Sequence, residues 1–279
     1  MKTLLTALTL LPAMVLPAAP PARTETRVEP LAMGAKLWLV QHDGNVDIQG
    51  WDRPEVQIVA QFHDGPHGAK AELEVRRVAQ GLEIEVREPR SHGLSFLRFR
   101  QVAHCHLTLM VPRKLSLAAK TVDGHLTLRN LDGYADLHTV DGAISLEDVA
   151  GEVHAHTVDG ALEARRLKAR ILGGTVDGRI LLEQVEGGVS LKTVDGAITA
   201  LDLDGWGEGI RLSSVDGNIT VRLGAAKGHL EATAKDGAIR TGHPTLLVRE
   251  VRRNVVRGTI AGGAQDIRLS TIDGSIRID

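Results

Sequence analysis

Residues 121–160 read TVDGHLTLRNLDGYADLHTVDGAISLEDVAGEVHAHTVDG, and the string Thr-Val-Asp-Gly in this stretch returns every 18 residues. It begins at positions 121, 139, 157, 175 and 193, and looser copies begin at positions 214, 234 and 271. A short string repeated at a fixed interval indicates a stacked repeat architecture in which each copy forms one structural unit. The commonest motif of the chain is therefore expected to serve the fold.

Each 18-residue unit splits into two halves of nine residues. In the first halves, positions 2, 6 and 8 are apolar, as in Val140, Ile144 and Leu146, whereas positions 5, 7 and 9 vary among polar and small residues. Alternation with a period of two predicts short β-strands that bury one face and expose the other. The Asp-Gly and Glu-Gly steps are expected to supply the corners, because Gly tolerates positive φ and Asp bonds to nearby backbone.

This spacing predicts an all-β fold, a parallel two-sheet β-solenoid with 18-residue turns made of two nine-residue halves. Nine residues that include a corner leave no room for a packed helix, and a hexapeptide solenoid would need an apolar residue every six positions. Irregular strands and hairpins should precede the regular turns, including a hairpin around Gly81. Both ends should be atypical, because open sheet edges invite aggregation.

The N-terminal residues 1–22 have the features of a secretory signal peptide, since Lys2 is followed by an apolar stretch and then by Pro17-Ala18-Ala19. The protein is therefore expected to be exported, to the periplasm or the cell surface, with no transmembrane anchor after signal cleavage. Residues 23–33 are expected to form a linker before a single solenoid domain at 34–279. That domain divides into N-terminal strands and a cap at 34–111, regular turns at 112–242 and irregular C-terminal turns at 243–279.

The composition of the chain limits the classes of partner that we expect it to bind. The formal net charge of −2 argues against nucleic acid, which would require a basic excess. The single cysteine, Cys105, has the parity of the apolar residues in its strand, so we expect it to be buried, and it has no second cysteine with which to form an intramolecular disulfide. The basic cluster Arg252, Arg253 and Arg257 is interpreted as a solvated loop face.

At this point the chain resembles the bacterial "putative adhesin" β-strand-repeat family, a domain of unknown function found in exported proteins. The resemblance rests on the signal peptide, on the opening Gly44–Trp51, on Leu107–Pro112 and on the run of Thr-Val-Asp-Gly units, and it covers roughly residues 34–279. It implies an exported β-repeat domain with no catalytic motif. The partner that it implies is an envelope or surface component, a protein or a glycan.

The corner residues form the first candidate site, because stacking would bring their carboxylates into one ladder. A calcium site is one interpretation, but calcium-binding repeats need several glycines per corner to expose backbone carbonyls. We favour the alternative that each Asp caps its own turn. The structural corner residues are Asp123, Gly124, Asp141, Gly142, Asp159, Gly160, Asp177, Gly178, Asp195, Gly196, Asp216, Gly217, Asp273 and Gly274.

The second halves contain a possible transition-metal site. Period-two parity places Asp136 and His138 of one turn beside His154 and His156 of the next, all pointing outward. A flat sheet face supplies poor tetrahedral geometry, and outward positions also tolerate His for no reason of function, so we expect no bound cofactor. His104 and His106 form a similar outward pair.

The leading functional hypothesis is an exported, non-enzymatic β-repeat protein that presents an interaction surface in the cell envelope. One alternative is a metal-binding envelope module that uses the His residues or the Asp ladder. Another is a polysaccharide-active β-helix enzyme, for which Asp202 and Asp204 are candidate paired carboxylates, although a role as corner residues explains them more simply. No Ser-His-Asp order, phosphate loop or paired-cysteine spacing favours an enzyme.

Overall fold

The computed structural model describes residues 21–63, 71–87, 104–205 and 208–279, so that all but the last two residues of the expected signal peptide lie outside the described residues. Within the described residues every regular element is a β-strand, which confirms the all-β repeat fold. None of these residues forms a long apolar helix of the kind that crosses a bilayer.

The strands form two long layers. Sheet I contains, in stacking order, β5 (Glu72–Val78), β6 (Gly81–Arg87), β2 (Lys36–Val40), β8 (Lys114–Lys120), β10 (Asp132–His138), β12 (Ala150–His156), the second part of β13 (Leu162–Gly174), β15 (Val189–Lys192), β17 (Ile210–Ser213), β23 (Gln265–Thr271), β19 (Gly228–Ala234), β22 (Val255–Ile260) and β21 (Leu246–Arg252).

Sheet II contains β1 (Arg23–Pro30), β4 (Glu55–His63), β7 (His104–Pro112), β3 (Val46–Trp51), β9 (Leu126–Arg129), β11 (Ile144–Glu147), the first part of β13, β14 (Ile180–Glu186), β16 (Ile198–Asp204), β18 (Ile219–Arg222), β24 (Ile276–Ile278) and β20 (Ile239–Thr241).

One turn of the chain, with a strand in each layer, is called a rung below. Ile144 pairs with Leu126 and Leu162, which are 18 residues before and after it, so the sequence period is the stacking register. Ile144 is fully buried, and the aliphatic residues at positions 6 and 8 fill the space between the layers. Burial of such side chains at about 25 cal/mol per Å² is the main term that stabilises the stack.

The Thr-Val-Asp-Gly corner is built differently from the expectation. The threonine, not the valine, is buried: Thr157 is 5% exposed, whereas Val158 is 40% exposed. The Thr157 hydroxyl donates to the carbonyl oxygen of Gly142 on the preceding rung, at 2.8 Å, which satisfies a buried polar group. Counting the valine as an inward position was wrong, because strand alternation does not continue through a corner.

The corner glycines are required for close approach rather than for their φ angle. A Cβ atom added to Gly142, Gly160 or Gly178 would overlap the carbonyl oxygen of the glycine one rung earlier. Of the corner glycines in the Thr-Val-Asp-Gly copies, Gly124 alone has a positive φ (136°). Stacking at about 4.8 Å therefore excludes any side chain from this column.

The second corner of each rung does not lie at the expected Gly. It lies at a single non-glycine residue in the left-handed region, with φ between 53° and 57°. Those residues recur every 18 positions and are Asn130, Asp148, Arg166, Gln184 and Asp202. Gly133, which follows Asp132 and was therefore expected at a corner, lies instead inside β10.

Residues 23–30, which were expected to be part of a linker, form strand β1. It pairs antiparallel with β4 over its whole length and is the outermost strand of sheet II. Arg23 stacks on Phe62 at 4.2 Å, and its Nη2 donates to the Ala71 carbonyl oxygen. A charged outermost strand protects the end of the sheet from pairing with another chain.

Rungs are interleaved at both ends of the stack. The rung β2–β3 lies between rung β6–β7 and rung β8–β9. At the other end, rung β23–β24 lies between rung β17–β18 and rung β19–β20. Residues 265–279 therefore fill a gap that the chain leaves when it passes from Arg222 to Gly228.

The segment 243–263, which breaks the sequence period, contains the antiparallel hairpin β21–β22. Strand β22 pairs antiparallel with β19, so the hairpin extends sheet I beyond its last parallel strand. At the opposite end of sheet I the hairpin β5–β6, with Gly81 opposite Val78, does the same, as expected from the sequence. Antiparallel strands thus cover both ends of this sheet.

Candidate functional site

The corner aspartates form one continuous ladder. Each Asp amide donates to the carbonyl of the residue at position 2 on the neighbouring rung, as Asp159 N does to Val140 O at 2.9 Å. In stacking order the ladder contains Asp43, Asp123, Asp141, Asp159, Asp177, Asp195, Asp216, Asp273 and Asp236. The looser copies of the motif thus continue the column built by the regular ones.

Neighbouring carboxylates oppose each other's ionisation. The pKa of Asp123 is raised, first by its hydrogen bond with Asp43, and the pKa values of Asp177 and Asp216 are raised first by desolvation and then by the adjacent carboxylates. Among the described residues, no hydrogen bond joins a ladder carboxylate to the amides of its own corner. At one corner the position 1 hydroxyl supplies such a cap instead, since Gly217 N donates to Ser214 Oγ at 2.9 Å.

The four residues of the possible metal site lie on the outward face of sheet I. Asp136 is beside His154, and His138 is beside His156, on the adjacent strands β10 and β12. Each of two imidazoles already contacts a carboxylate of its own strand: His138 Nε2 is 2.9 Å from Asp136 Oδ1, and His154 Nε2 is 2.8 Å from Glu152 Oε1. In the described part of the chain, no group of three or more His, Cys, Asp or Glu side chains is arranged to hold a metal ion.

His138 and His156 stack on each other, with ring centroids 5.3 Å apart and planes inclined by 13°. The pKa of His156 is lowered, first by desolvation and then by His138, so its ring is neutral near pH 7. Parallel stacked rings direct their nitrogens side by side rather than toward one point. The arrangement therefore suits packing between rungs better than shared coordination.

The stacked imidazoles belong to a longer row of basic side chains, the basic row, which contains Lys120, His138, His156 and Lys192. Lys120 pairs with His138, and Lys192 is separated from His156 by one rung that carries Gly174. Lys120 and Lys192 are exposed, and neither has an ion-pair partner among the described residues. Their 18-residue spacing was present in the sequence, at positions 120, 138, 156, 174 and 192.

The outward face of sheet II has the opposite character, because its charges neutralise one another along the stack. Arg129 Nε lies 3.2 Å from Glu147 Oε2, and Arg165 Nε lies 2.9 Å from Glu183 Oε2. The Arg222 guanidinium holds both carboxylate oxygens of Asp202, at 3.0 and 2.9 Å. Most charged side chains on this face of sheet II are thus paired with an oppositely charged side chain of the same sheet.

Asp202, one of the two carboxylates considered for an enzyme, is not suited to act as a general acid. The Arg222 hydrogen bond is the first cause of the lowered pKa of Asp202, which keeps that carboxylate ionised and occupied. A general acid would need a raised pKa instead. Cys105 is fully buried in sheet II, as expected, and desolvation raises its pKa to about 12, so it is not a reactive thiol.

His104 and His106, the other outward histidine pair, contact different neighbours. His106 Nε2 lies 3.2 Å from Asp47 Oδ2 on β3, whereas His104 pairs across the antiparallel ladder with His63 on β4. The C-terminal basic cluster is also divided, since Arg257 bonds Glu231 and Glu250 while Arg252 bonds Glu250. Neither set presents a group of converging free side chains.

The family described as Toastrack DUF4097 matches residues 35–279, and the chain belongs to this family, a domain family of unknown function. Among curated proteins, no significant match to the chain was found.

Solved structures of similar proteins cover nearly the whole chain. The chain is similar to one described as a putative lipid binding protein from Parabacteroides distasonis, at 12% identity over 93% of this chain and 98% of that one, with a TM-score of 0.55. It is also similar to a putative adhesin from Bacteroides fragilis, at 14% identity over 93% and 99%, with a TM-score of 0.47. A putative cell adhesion protein from Clostridium sporogenes matches at 11% identity over 92% and 99%, with a TM-score of 0.29. The first of these supports the fold, and at such identities the likeness extends no further.

Proposed function

We propose that this Toastrack DUF4097 protein is an exported, non-enzymatic β-solenoid that presents the outward face of sheet I to a protein or glycan of the cell envelope. The observation that carries the proposal is the contrast between the two faces. In the regular turns, charges on the outward face of sheet II are paired along the stack, whereas Lys120 and Lys192 on sheet I lack carboxylate partners among the described residues. Unpaired charges on a rigid surface steer and orient an oppositely charged partner.

The rigidity of the face supports the same proposal. Lys120, His138 and His156 project from consecutive hydrogen-bonded strands at about 4.8 Å spacing, and Lys192 follows two strands later, so the relative positions of the basic row are set by the backbone. A partner with regularly spaced acidic groups would therefore meet a preorganised surface and would lose little free energy in ordering it. The metal-binding alternative would use the same residues, but each of His138 and His154 is already bonded to a carboxylate.

The experiment is a binding assay of the mature chain with isolated envelope fractions of the bacterium that encodes it. Charge reversal of Lys120→Glu with Lys192→Glu should reduce binding at least tenfold. A matched control is Lys235→Glu with Arg240→Glu, which makes the same change in net charge at exposed residues outside the basic row, one in a corner and one on sheet II. If both double variants bind like the unmodified protein, the sheet I surface is not the interface. Mass spectrometry of the N-terminus, which should begin near Ala22, tests export separately.

A further inference from the structure

A groove of about 350 Å³ lies on the outward face of sheet I, between β13 and β23. It exists because two consecutive rungs have no side chain in one row: Gly188 and Gly209 lie between Arg170 and Asp266. Hydrogen bonds from Ile171 N to Gly188 O and from Val189 N to Gly209 O fix these glycines as neighbours. The missing side chains leave a floor of backbone that is large enough to admit a small ligand.

The walls of the groove carry one more positive than negative charge. Arg268 Nη2 lies 3.0 Å from Asp266 Oδ2, and Arg170 Nε lies 3.8 Å from Glu208 Oε2. The fifth charged residue, Arg211, has no carboxylate within ion-pair distance in the described ranges, although it lines the same groove. Its guanidinium is therefore available for a bidentate bond with an external anion.

The remaining polar groups suit hydroxyls. Ser190 lies directly beside Arg211 in the parallel register and supplies a group that both donates and accepts. The carboxylates of Glu208 and Asp266 accept hydrogen bonds from a ligand even while they are paired with arginines. None of the described residues that line the groove is aromatic.

We propose that this groove binds an anionic sugar unit, with its carboxylate or phosphate on Arg211 and its hydroxyls on Ser190, Glu208 and Asp266. The proposal rests on the function proposed above, since it assigns a ligand class to the same face of sheet I. A carboxylate in a sugar acid and a phosphate ester on a sugar share this chemistry, and they differ in charge and in shape.

The test is isothermal titration of the mature chain at low ionic strength with D-glucuronate, glucose 6-phosphate, glucose and inorganic phosphate. We expect one of the two anionic sugars to bind at least tenfold more tightly than glucose and than inorganic phosphate. Which of them binds identifies the anionic group. Equal binding of inorganic phosphate, or no preference over glucose, would overturn the proposal.

Substitutions of Arg211 test whether the ligand binds at this residue. Arg211→Gln should weaken binding of the anionic sugar at least tenfold, and Arg211→Lys should recover part of it, because an ammonium keeps the charge but lacks the planar fork. Arg240→Gln, at an exposed residue outside the groove, is the matched control and should bind like the unmodified chain. Both substituted residues, Arg211 and Arg240, are exposed, and unchanged melting temperatures would verify folding. Unchanged binding by Arg211→Gln contradicts the assignment.

The two proposals can fail separately. Binding to envelope fractions without any response to the anionic sugars would leave the interaction function standing and remove the groove as its site. Binding of an anionic sugar at Arg211 without envelope binding would do the reverse.

Discussion

A Cβ atom on Gly160 would overlap the carbonyl oxygen of Gly142, one rung earlier in the stack. The same oxygen accepts a hydrogen bond from the Thr157 hydroxyl at 2.8 Å. The corner column is therefore as closely packed as the interior between the sheets, although it lies beside exposed valines and aspartates.

Gly160→Ala should destabilise the protein by about 2–4 kcal/mol, the range of severe overpacking where backbone must shift. The measurement is the free energy of unfolding from urea denaturation. Gly242→Ala is the matched control, because the nearest atom to its added Cβ would be Asp279 Oδ1 at 3.4 Å. Equal effects of the two substitutions would show that close stacking does not explain the corner glycine.

Gln184→Asn should stabilise the protein. Gln184 is exposed and has a φ of 56°, a region that costs an ordinary residue about 1 kcal/mol and that Asn tolerates better. We expect a gain of about 0.5 kcal/mol in the free energy of unfolding. Gln184→Val at the same position should lose stability, because a β-branched side chain fits this region worst. The opposite order of the two variants would rule out backbone strain at the second corner.

Asp177→Asn should raise the melting temperature at pH 7 and have little effect in acid. The raised pKa of Asp177 means that the folded protein holds this proton more tightly than the unfolded chain does. The ladder is thus least favourable when it is fully charged, and its cost disappears as the pH falls below the ordinary value of 3.8. Melting curves from pH 7 down to pH 3 test this. Asp132→Asn, on sheet I outside the ladder, is the control, and a pH-independent difference would contradict the interpretation.

Zinc should not bind at His138, His154 and His156 with micromolar affinity. His138 and His154 each contact a carboxylate of their own strand. The third imidazole, His156, is stacked on the ring of His138. Calorimetric titration with zinc at pH 7.5 is the measurement. Micromolar binding that is lost in the double variant His154→Ala, His156→Ala would prove the metal-site hypothesis correct and this expectation wrong.

Removal of residues 265–279 should prevent formation of the C-terminal end of the stack. These residues supply β23 and β24, which lie between two rungs that have no direct hydrogen bonds to each other. Ile267, Leu269, Ile276 and Ile278 are buried, so their loss also leaves an apolar gap. Amide hydrogen exchange of the truncated chain should show lost protection in β17–β20, with β9–β12 still protected. Retained protection in β19 would show that the gap closes by itself.

The rungs were predictable because their signal is local and repeated. Alternation at Ile144 and Leu146 defines an inward face, and the 18-residue period fixes which residues become neighbours, so that Asp136 lies beside His154 as the sequence predicted. The buried threonines were missed because a hydroxyl is not an apolar signal, even though its hydrogen bonds to the preceding rung make burial favourable.

Other features depend on information that the sequence pattern does not contain. The second corner is occupied by Asn130 and Asp148 but also by Arg166 and Gln184, and the latter two residue types do not indicate a left-handed conformation. The final Thr-Ile-Asp-Gly copy reads like the others, so nothing local shows that it stacks before the copy at 234. The groove at Arg211 arises from Gly188 and Gly209, which directly precede the separate strands β15 and β17, and only the register brings them together.

The interleaved C-terminal rung also determines at what stage of synthesis this protein can complete its folding. Synthesis delivers a chain from its N-terminus, and most repeat proteins can add each unit to the units already folded. Here the rung β19–β20 is made before the rung on which it stacks, and it waits for residues 265–279. Completion of the stack therefore pairs strands that are distant in the sequence and are synthesised at different times, which makes it a slow, late step of folding. A chain that lacks residues 265–279 leaves β17 and β19 without the strand that pairs with both of them.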